Sequence, residues 1–97
     1  MKSSLPVVLH VSSPECIICK TMVERLIEAG KESASKILFL SLNINENKKW
    51  QEYSVRVIPT LLYFKGGRLV TRHDMFPEVD EIKTQLSALL KKEGRFE

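Results

Sequence analysis

The segment Val7-Val8-Leu9-His10-Val11 is apolar at every position but one. Strict alternation would mark a strand with one wet face; a continuous run of this length predicts a strand buried on both faces. Pro14 and Glu15 then punctuate the chain. From Cys16 onward, Ile18, Met22, Leu26 and Ala29 recur near helical spacing until Gly30 offers a stop, which predicts a first helix starting at the cysteines. Ile37 to Leu42 is again mostly apolar and reads as a second strand. Strand, helix and strand within so short a span imply a right-handed crossover between parallel neighbours.

Asn45 or Asn47 is placed to cap a short second helix presenting Trp50 and Tyr53 on one face, where the two aromatics read as core rather than ligand contacts. Thr60 to Lys65 and Arg68 to Arg72 flank Gly66-Gly67. A two-glycine link between strand-like runs predicts a hairpin, because the turns that match strand twist need positive φ. The last element is expected to open with Pro77 at its first helical position and to carry Val79, Ile82, Leu86, Leu89 and Leu90 as an apolar stripe. The predicted architecture is therefore α/β, in the order β-α-β-α-β-β-α. It is a four-stranded mixed sheet with helices on its faces, in a single domain spanning residues 1–97.

Composition changes this picture little. With 43% hydrophobic and 28% charged residues over 97 positions, the chain is an ordinary globular domain able to bury a core without covalent staples. Fifteen basic residues against twelve acidic ones give a net charge of +3, the signs interspersed except in the terminal Lys91-Lys92-Glu93-Gly94-Arg95. No basic stripe is interleaved with aromatics, which argues against nucleic acid as a partner. The N-terminal apolar run faintly imitates a secretory signal, but it is short, is interrupted by Pro6 and His10, and precedes no small-residue cleavage site. No segment approaches the roughly 20 apolar residues of a membrane span.

The chemistry concentrates in Ser12-Ser13-Pro14-Glu15-Cys16-Ile17-Ile18-Cys19-Lys20, which holds both cysteines of the chain. A structural staple is the weakest reading, since a bridge across so short a loop constrains the unfolded chain little. A metal site needs further ligands; His10 and His73 make a Cys₂His₂ set in count, but with spacing unlike the usual fingers. A redox pair fits the position. At the first turn of a helix, the sulfur of Cys16 meets unpaired N–H groups and a positive dipole end. Such a site draws a thiol from its usual pKa of about 8.5 into a range of roughly 3.5 to 7.5. Lys20 acts in the same sense and Glu15 opposes it. Cys19, three residues on, shares the face of Cys16, so a small adjustment closes a disulfide. The pair after a buried strand, in a strand-helix-strand unit, favours redox chemistry over metal.

Cys16-Ile17-Ile18-Cys19-Lys20, taken with Tyr53-Ser54-Val55-Arg56-Val57-Ile58-Pro59-Thr60-Leu61-Leu62-Tyr63-Phe64-Lys65-Gly66-Gly67 and with Leu42-Asn43-Ile44-Asn45-Glu46-Asn47, resembles thioredoxin over nearly the whole chain. The resemblance implies a thioredoxin-like fold in a minimal form lacking the usual first strand and helix. It also implies a cis Ile58–Pro59 bond facing the cysteines. By the same resemblance the activity is thiol–disulfide oxidoreduction, with Cys16 as nucleophile and Cys19 as resolving thiol. Glu15, Ile17, Ile18, Ile58, Pro59 and Thr60 form the substrate-binding rim, the backbone of Ile58 pairing with an extended protein segment.

The chain departs from the family where a tryptophan usually precedes the first cysteine and Gly-Pro separates the pair; these positions are Glu15, Ile17 and Ile18. Ile17 is expected on the surface, whereas Ile18 suits either rim or helix core. His10 stands where the family has a buried aspartate, and Ser41 where it has that residue's lysine neighbour. An imidazole at this place is a candidate proton relay to Cys19, the alternative being a histidine merely satisfied within the sheet. The implied protein works without a dissociable cofactor or metal, takes protein disulfides as substrates and a disulfide reductase as electron donor, and is a cytoplasmic monomer. The alternatives are a redox-dependent protein-binding module, or a glutaredoxin-like, glutathione-dependent reductase, for which Asp74 to Val79 lacks the expected glycine-rich, acidic site.

Overall fold

The computed structural model describes residues 5–75 and 77–90; Phe76 and the terminal stretch from Lys91 to Arg95 lie outside the described residues. The elements are β1 (Val7–Ser12), α1 (Ile17–Gly30), β2 (Leu38–Asn43), a 3-10 helix (Lys48–Tyr53), β3 (Thr60–Lys65), β4 (Arg68–Asp74) and α2 (Val79–Leu90). The strands form one sheet in the order β2-β1-β3-β4. β1 pairs parallel with β2 and antiparallel with β3, and β3 pairs antiparallel with β4, so the sheet is mixed.

The unbroken apolar run of β1 is explained by its place. It lies between two strands, and its alternate side chains enter two different cores. Val8 joins Met22, Leu26 and Ala29 of α1, Leu61 and Tyr63 of β3, and Ile82, Leu86 and Leu89 of α2. Val7, Leu9 and Val11 pack with Leu42, Val55, Leu62 and Phe64 on the other face. Trp50 and Tyr53 pack against this second core, Tyr53 meeting Phe64 edge to face with ring centroids 5.3 Å apart. The aromatics are core, as their helical spacing indicates.

Two local expectations need correction. The second helix is 3-10 rather than α, capped by Asn47, whose side chain accepts the amide of Lys49 at 2.8 Å. Pro77 is not the first helical residue of α2. Glu78 occupies the cap instead: its carbonyl accepts the amide of Ile82, and its own amide donates to the Glu81 carboxylate at 2.8 Å. β2 is as apolar as β1 but lies at the sheet edge, with Leu38 and Leu40 40% and 37% exposed. Hydropathy alone does not distinguish an edge strand from a central one.

The hairpin turn places both Gly66 and Gly67 at positive φ, 63° and 80°, the conformation that a two-residue link demands. Arg72 of β4 donates to the backbone carbonyls of Tyr53 and Ser54, at 2.7 and 3.2 Å, and so holds the chain leading into Pro59 against the sheet. Arg25 of α1 donates to the Pro77 carbonyl at 2.9 Å and pairs with Glu78, joining the two helices where α2 begins. Among the described residues no helix is long and apolar enough to cross a membrane.

Leu61 is fully buried between the sheet and both helices. Leu61→Ala is expected to cost about 2–5 kcal/mol in urea unfolding, transfer and cavity terms combined. Ile17→Ala, at a position 82% exposed, is expected to stay within about 0.5 kcal/mol of the parent.

Candidate active site at the head of the first helix

β1 ends at Ser12, and the chain turns through Ser13, Pro14 and Glu15, with the Cys16 amide donating to the Ser13 carbonyl at 3.2 Å. Cys16 is then the N-cap of α1, in extended conformation, and its sulfur accepts the backbone amide of Cys19 at 3.1 Å. A cysteine thus fills the role that serine or aspartate usually plays at a helix start. The same N–H, with the positive end of the helix, lowers the energy of a thiolate at Cys16 once the pair is reduced.

Cys16 and Cys19 are joined as a disulfide, their Cα atoms 5.2 Å apart. The two sulfurs are unequal. Cys16 is half-buried at the surface, whereas Cys19 is 3% exposed on the buried side of α1 with Met22 and Leu26. One can be reached from outside, and the other only through the first.

A shallow depression of about 560 Å³ surrounds Cys16, lined by Ser13, Glu15, Ile17, Ile18 and Ile58. The chain therefore brings four of the six sequence-derived rim residues together beside the outer sulfur. Ile58 arrives from a distant loop in which the Ile58–Pro59 peptide is cis. Ile18 is 47% exposed, which assigns it to the rim rather than the core. Pro59 and Thr60 do not line the depression. Thr60 is fully buried, and its hydroxyl donates to the Val57 carbonyl at 2.7 Å, shaping the loop from beneath.

Two contributors escaped the sequence reading. Ser13 lines the depression, and Asn45 donates its side-chain amide to the Glu15 carboxylate at 3.3 Å. Ser13 could have been suspected from its place between strand end and Pro14. Asn45 could not, because it lies thirty positions away and its role depends on the register of β2 against β1.

His10 lies in β1 two residues beyond Val8, on the face covered by α1, so it shares a layer with Cys19. Its register partner on β2 is Ser41, as the resemblance implies. The imidazole is 2% exposed, and its Nε2 has no hydrogen-bond partner among the described residues. Burial lowers its pKa below the ordinary value of 6.5, since a desolvated cation lacks compensation. His73 stands in the same cross-strand row, but Leu61 lies between the two rings, and His73 Nδ1 is bonded to the Tyr63 hydroxyl at 2.8 Å. The two imidazoles therefore do not converge with the cysteines on one point. Among the described residues no group of three or more His, Cys, Asp or Glu side chains is disposed to hold a metal ion.

A mixed sheet carrying a cysteine pair at a helix amino end, faced by a cis-proline loop, defines a class of small dithiol/disulfide domains. The family model described as Thioredoxin matches residues 1–91. The chain is 40% identical over 68 residues to the thioredoxin of Rickettsia typhi, covering 69% of this chain and 65% of that protein. It is 30% identical to the thioredoxin of Alicyclobacillus acidocaldarius over 87 residues, covering 89% and 83% respectively. The solved structure of thioredoxin-2, a component of the malaria parasite protein secretion machinery, superposes with a TM-score of 0.81 at 18% identity, covering 91% of this chain and 86% of that one; it shows the fold. The chain belongs to the thioredoxin family. It spans 65% of the length of the Rickettsia relatives it matches.

The buried histidine has a consequence for stability. Its folded pKa is depressed, so on acidification the unfolded chain takes up a proton before the folded one does. The stability is fully present above about pH 6.5 and is lost as the pH falls from there through the folded-state value. Chemical unfolding at a series of pH values is expected to show this decline in the parent and a flatter profile in His10→Leu.

Proposed function

We propose that the protein is a thiol–disulfide oxidoreductase acting on protein disulfides, its only redox group being the Cys16–Cys19 pair. One observation carries the reading: a reachable cysteine caps a helix and accepts its amide, with a second cysteine buried directly behind it. In the reduced protein, the Cys16 thiolate attacks one sulfur of a substrate disulfide. A Cys16–substrate disulfide forms, and the other substrate sulfur leaves as a thiolate. Cys19, deprotonated, then attacks Cys16; the second substrate sulfur departs and the Cys16–Cys19 bond of the present structure remains. A disulfide reductase returns two electrons to the pair, and we place this cycle in the cytoplasm, with residues 1–97 acting as one domain.

The rim supports a protein substrate rather than a small thiol. Ile17 and Ile18 are exposed beside Cys16 with Ile58 across the depression, an apolar border suited to side chains flanking a disulfide. Ile58 backbone groups, held before the cis-proline, offer strand-like pairing to an extended segment. Pro59 and Thr60 contribute by holding that backbone in place. Glu15, tethered by Asn45, adds a negative charge to the border.

His10 is the proposed relay for Cys19. It is a buried titratable group in the layer beneath α1, and its depressed pKa keeps it neutral near pH 7, ready to accept the proton that Cys19 loses.

Reduction of insulin in the presence of dithiothreitol tests the assignment. Cys16→Ser is expected to abolish turnover, and Cys19→Ser to accumulate mixed disulfides visible by non-reducing electrophoresis. If both variants match the parent rate, the assignment fails; stoichiometric, redox-dependent complexes without turnover identify a binding module instead. His10→Leu is expected to slow the resolving step by about 100-fold, the lower end of general-base contributions, and to remove the acid limb of the pH–rate profile. An unchanged profile shape assigns His10 to packing alone.

A further inference from the structure

The depression beside Cys16 is apolar apart from one charge. Ile17, Ile18 and Ile58 wall it, Ser13 and Glu15 complete its border, and Glu15 is the one charged side chain among them. That carboxylate is held in place. Asn45 donates to its Oε1 at 3.3 Å across thirty positions of sequence. Asn45 is itself fixed: its amide donates to the Asn43 side chain at 2.9 Å, and Asn43 ends β2 in register with Ser12 at the end of β1. The Asn43 carbonyl also accepts the amides of Glu46 and Asn47, at 3.0 and 3.1 Å. The turn that carries Asn45 is thereby joined to the strand from which the Cys16 segment leaves.

The carboxylate has no cationic partner. Among the described residues the ion pairs are Arg25–Glu78, Lys31–Glu28 and Arg72–Asp74, none of which involves Glu15. Lys20 and Arg56, near in sequence to Cys16 and Ile58, do not line the depression. An amide donor fixes the direction of a carboxylate without neutralising it, so the charge is left for whatever enters. Glu15 adjoins Cys16, their Cα atoms about 3.8 Å apart, and the charge therefore meets the residues next to a cysteine under attack. Isoleucines beside an unneutralised carboxylate suit a group with an apolar stem and a cationic head. Arginine and lysine have that form. The net charge of the chain, +3, acts the other way and draws anionic peptides. A preference for cationic flanks can come only from the depression itself.

We propose that Glu15 sets substrate choice, selecting protein disulfides in which arginine or lysine flanks the attacked cysteine. The aliphatic stem of that residue lies on the isoleucines, and its head pairs with Glu15 Oε2, the oxygen that Asn45 does not use. A flanking aspartate or glutamate meets like charge at the same place and is disfavoured. The inference rests on the oxidoreductase reading and adds to it the class of substrate; the exchange chemistry is unaltered.

Homodimeric disulfides of the peptides acetyl-X-Cys-X-amide, with X arginine, alanine or glutamate, test the proposal in single turnovers of the reduced protein. A symmetric dimer presents the same flanks whichever sulfur is attacked. Each rate is divided by that of the same peptide with dithiothreitol, which removes the peptide's own reactivity. In the parent the arginine peptide is expected to react about 3-fold faster than the alanine peptide, in the range of an exposed ion pair, and the glutamate peptide slower than either. Salt at about 0.5 M is expected to compress this ordering. Glu15→Gln keeps the side-chain length and an acceptor for Asn45, and is expected to bring the arginine-to-alanine ratio to about 1, while Glu15→Lys reverses it. Ratios within one variant cancel any change in the reactivity of Cys16. A parent that reduces insulin but treats the three peptides alike or reduces none of them, or an ordering that Glu15→Gln leaves unchanged, would overturn the selection and leave the oxidoreductase reading standing. A parent that reduces neither insulin nor any peptide ends both.

Discussion

A sulfur atom can be held at the amino end of a helix only if the chain entering that helix is itself fixed, and here β1 fixes it. The strand is hydrogen-bonded on both sides and covered on both faces, and its end at Ser12 is held in register with Asn43 of β2. Four residues later Cys16 caps α1 and receives the Cys19 amide. Loosening β1 would release the cap, and with it the difference between an outer and an inner sulfur on which ordered exchange depends.

The same strand carries His10 into the interior. A histidine in a central strand without a partner for Nε2 is costly, and a core built for stability alone would place an aliphatic side chain there. Its place in the layer beneath the helix that bears Cys19 is the ground on which it is proposed as the relay. The opposite face holds a second such atom among the described residues, Nε1 of Trp50. Trp50, Tyr53 and Phe64 fill it, and Arg72 secures the loop that delivers Ile58 to the rim.

Much of this was legible in the chain itself. The run from Val7 to Val11, the helical recurrence from Ile18 to Ala29 and the Gly66-Gly67 link each report a local constraint: burial on two sides, one buried stripe, positive φ. The cysteine pair was legible because three residues span nearly a helical turn. Legibility stopped where position in the sheet decides. β1 and β2 have similar hydropathy, yet one is central and the other lies at an edge. Pro59 and Thr60 lie in the same loop as Ile58 but are buried, since the direction of a side chain in a turn follows from the packing beneath it.

The sequence by itself determined most of the elements, the cysteine pair and the helix start at which it sits, because these follow from neighbours along the chain. Only the tertiary structure decided which sulfur is outermost, that Ile58 and Asn45 meet the segment around Cys16, and that His10 lies buried in the layer beneath α1, its Nε2 without a hydrogen-bond partner among the described residues. Those outcomes come from contacts between segments far apart in the chain, whose geometry is set by strand order and register, and no local pattern of residues encodes either one.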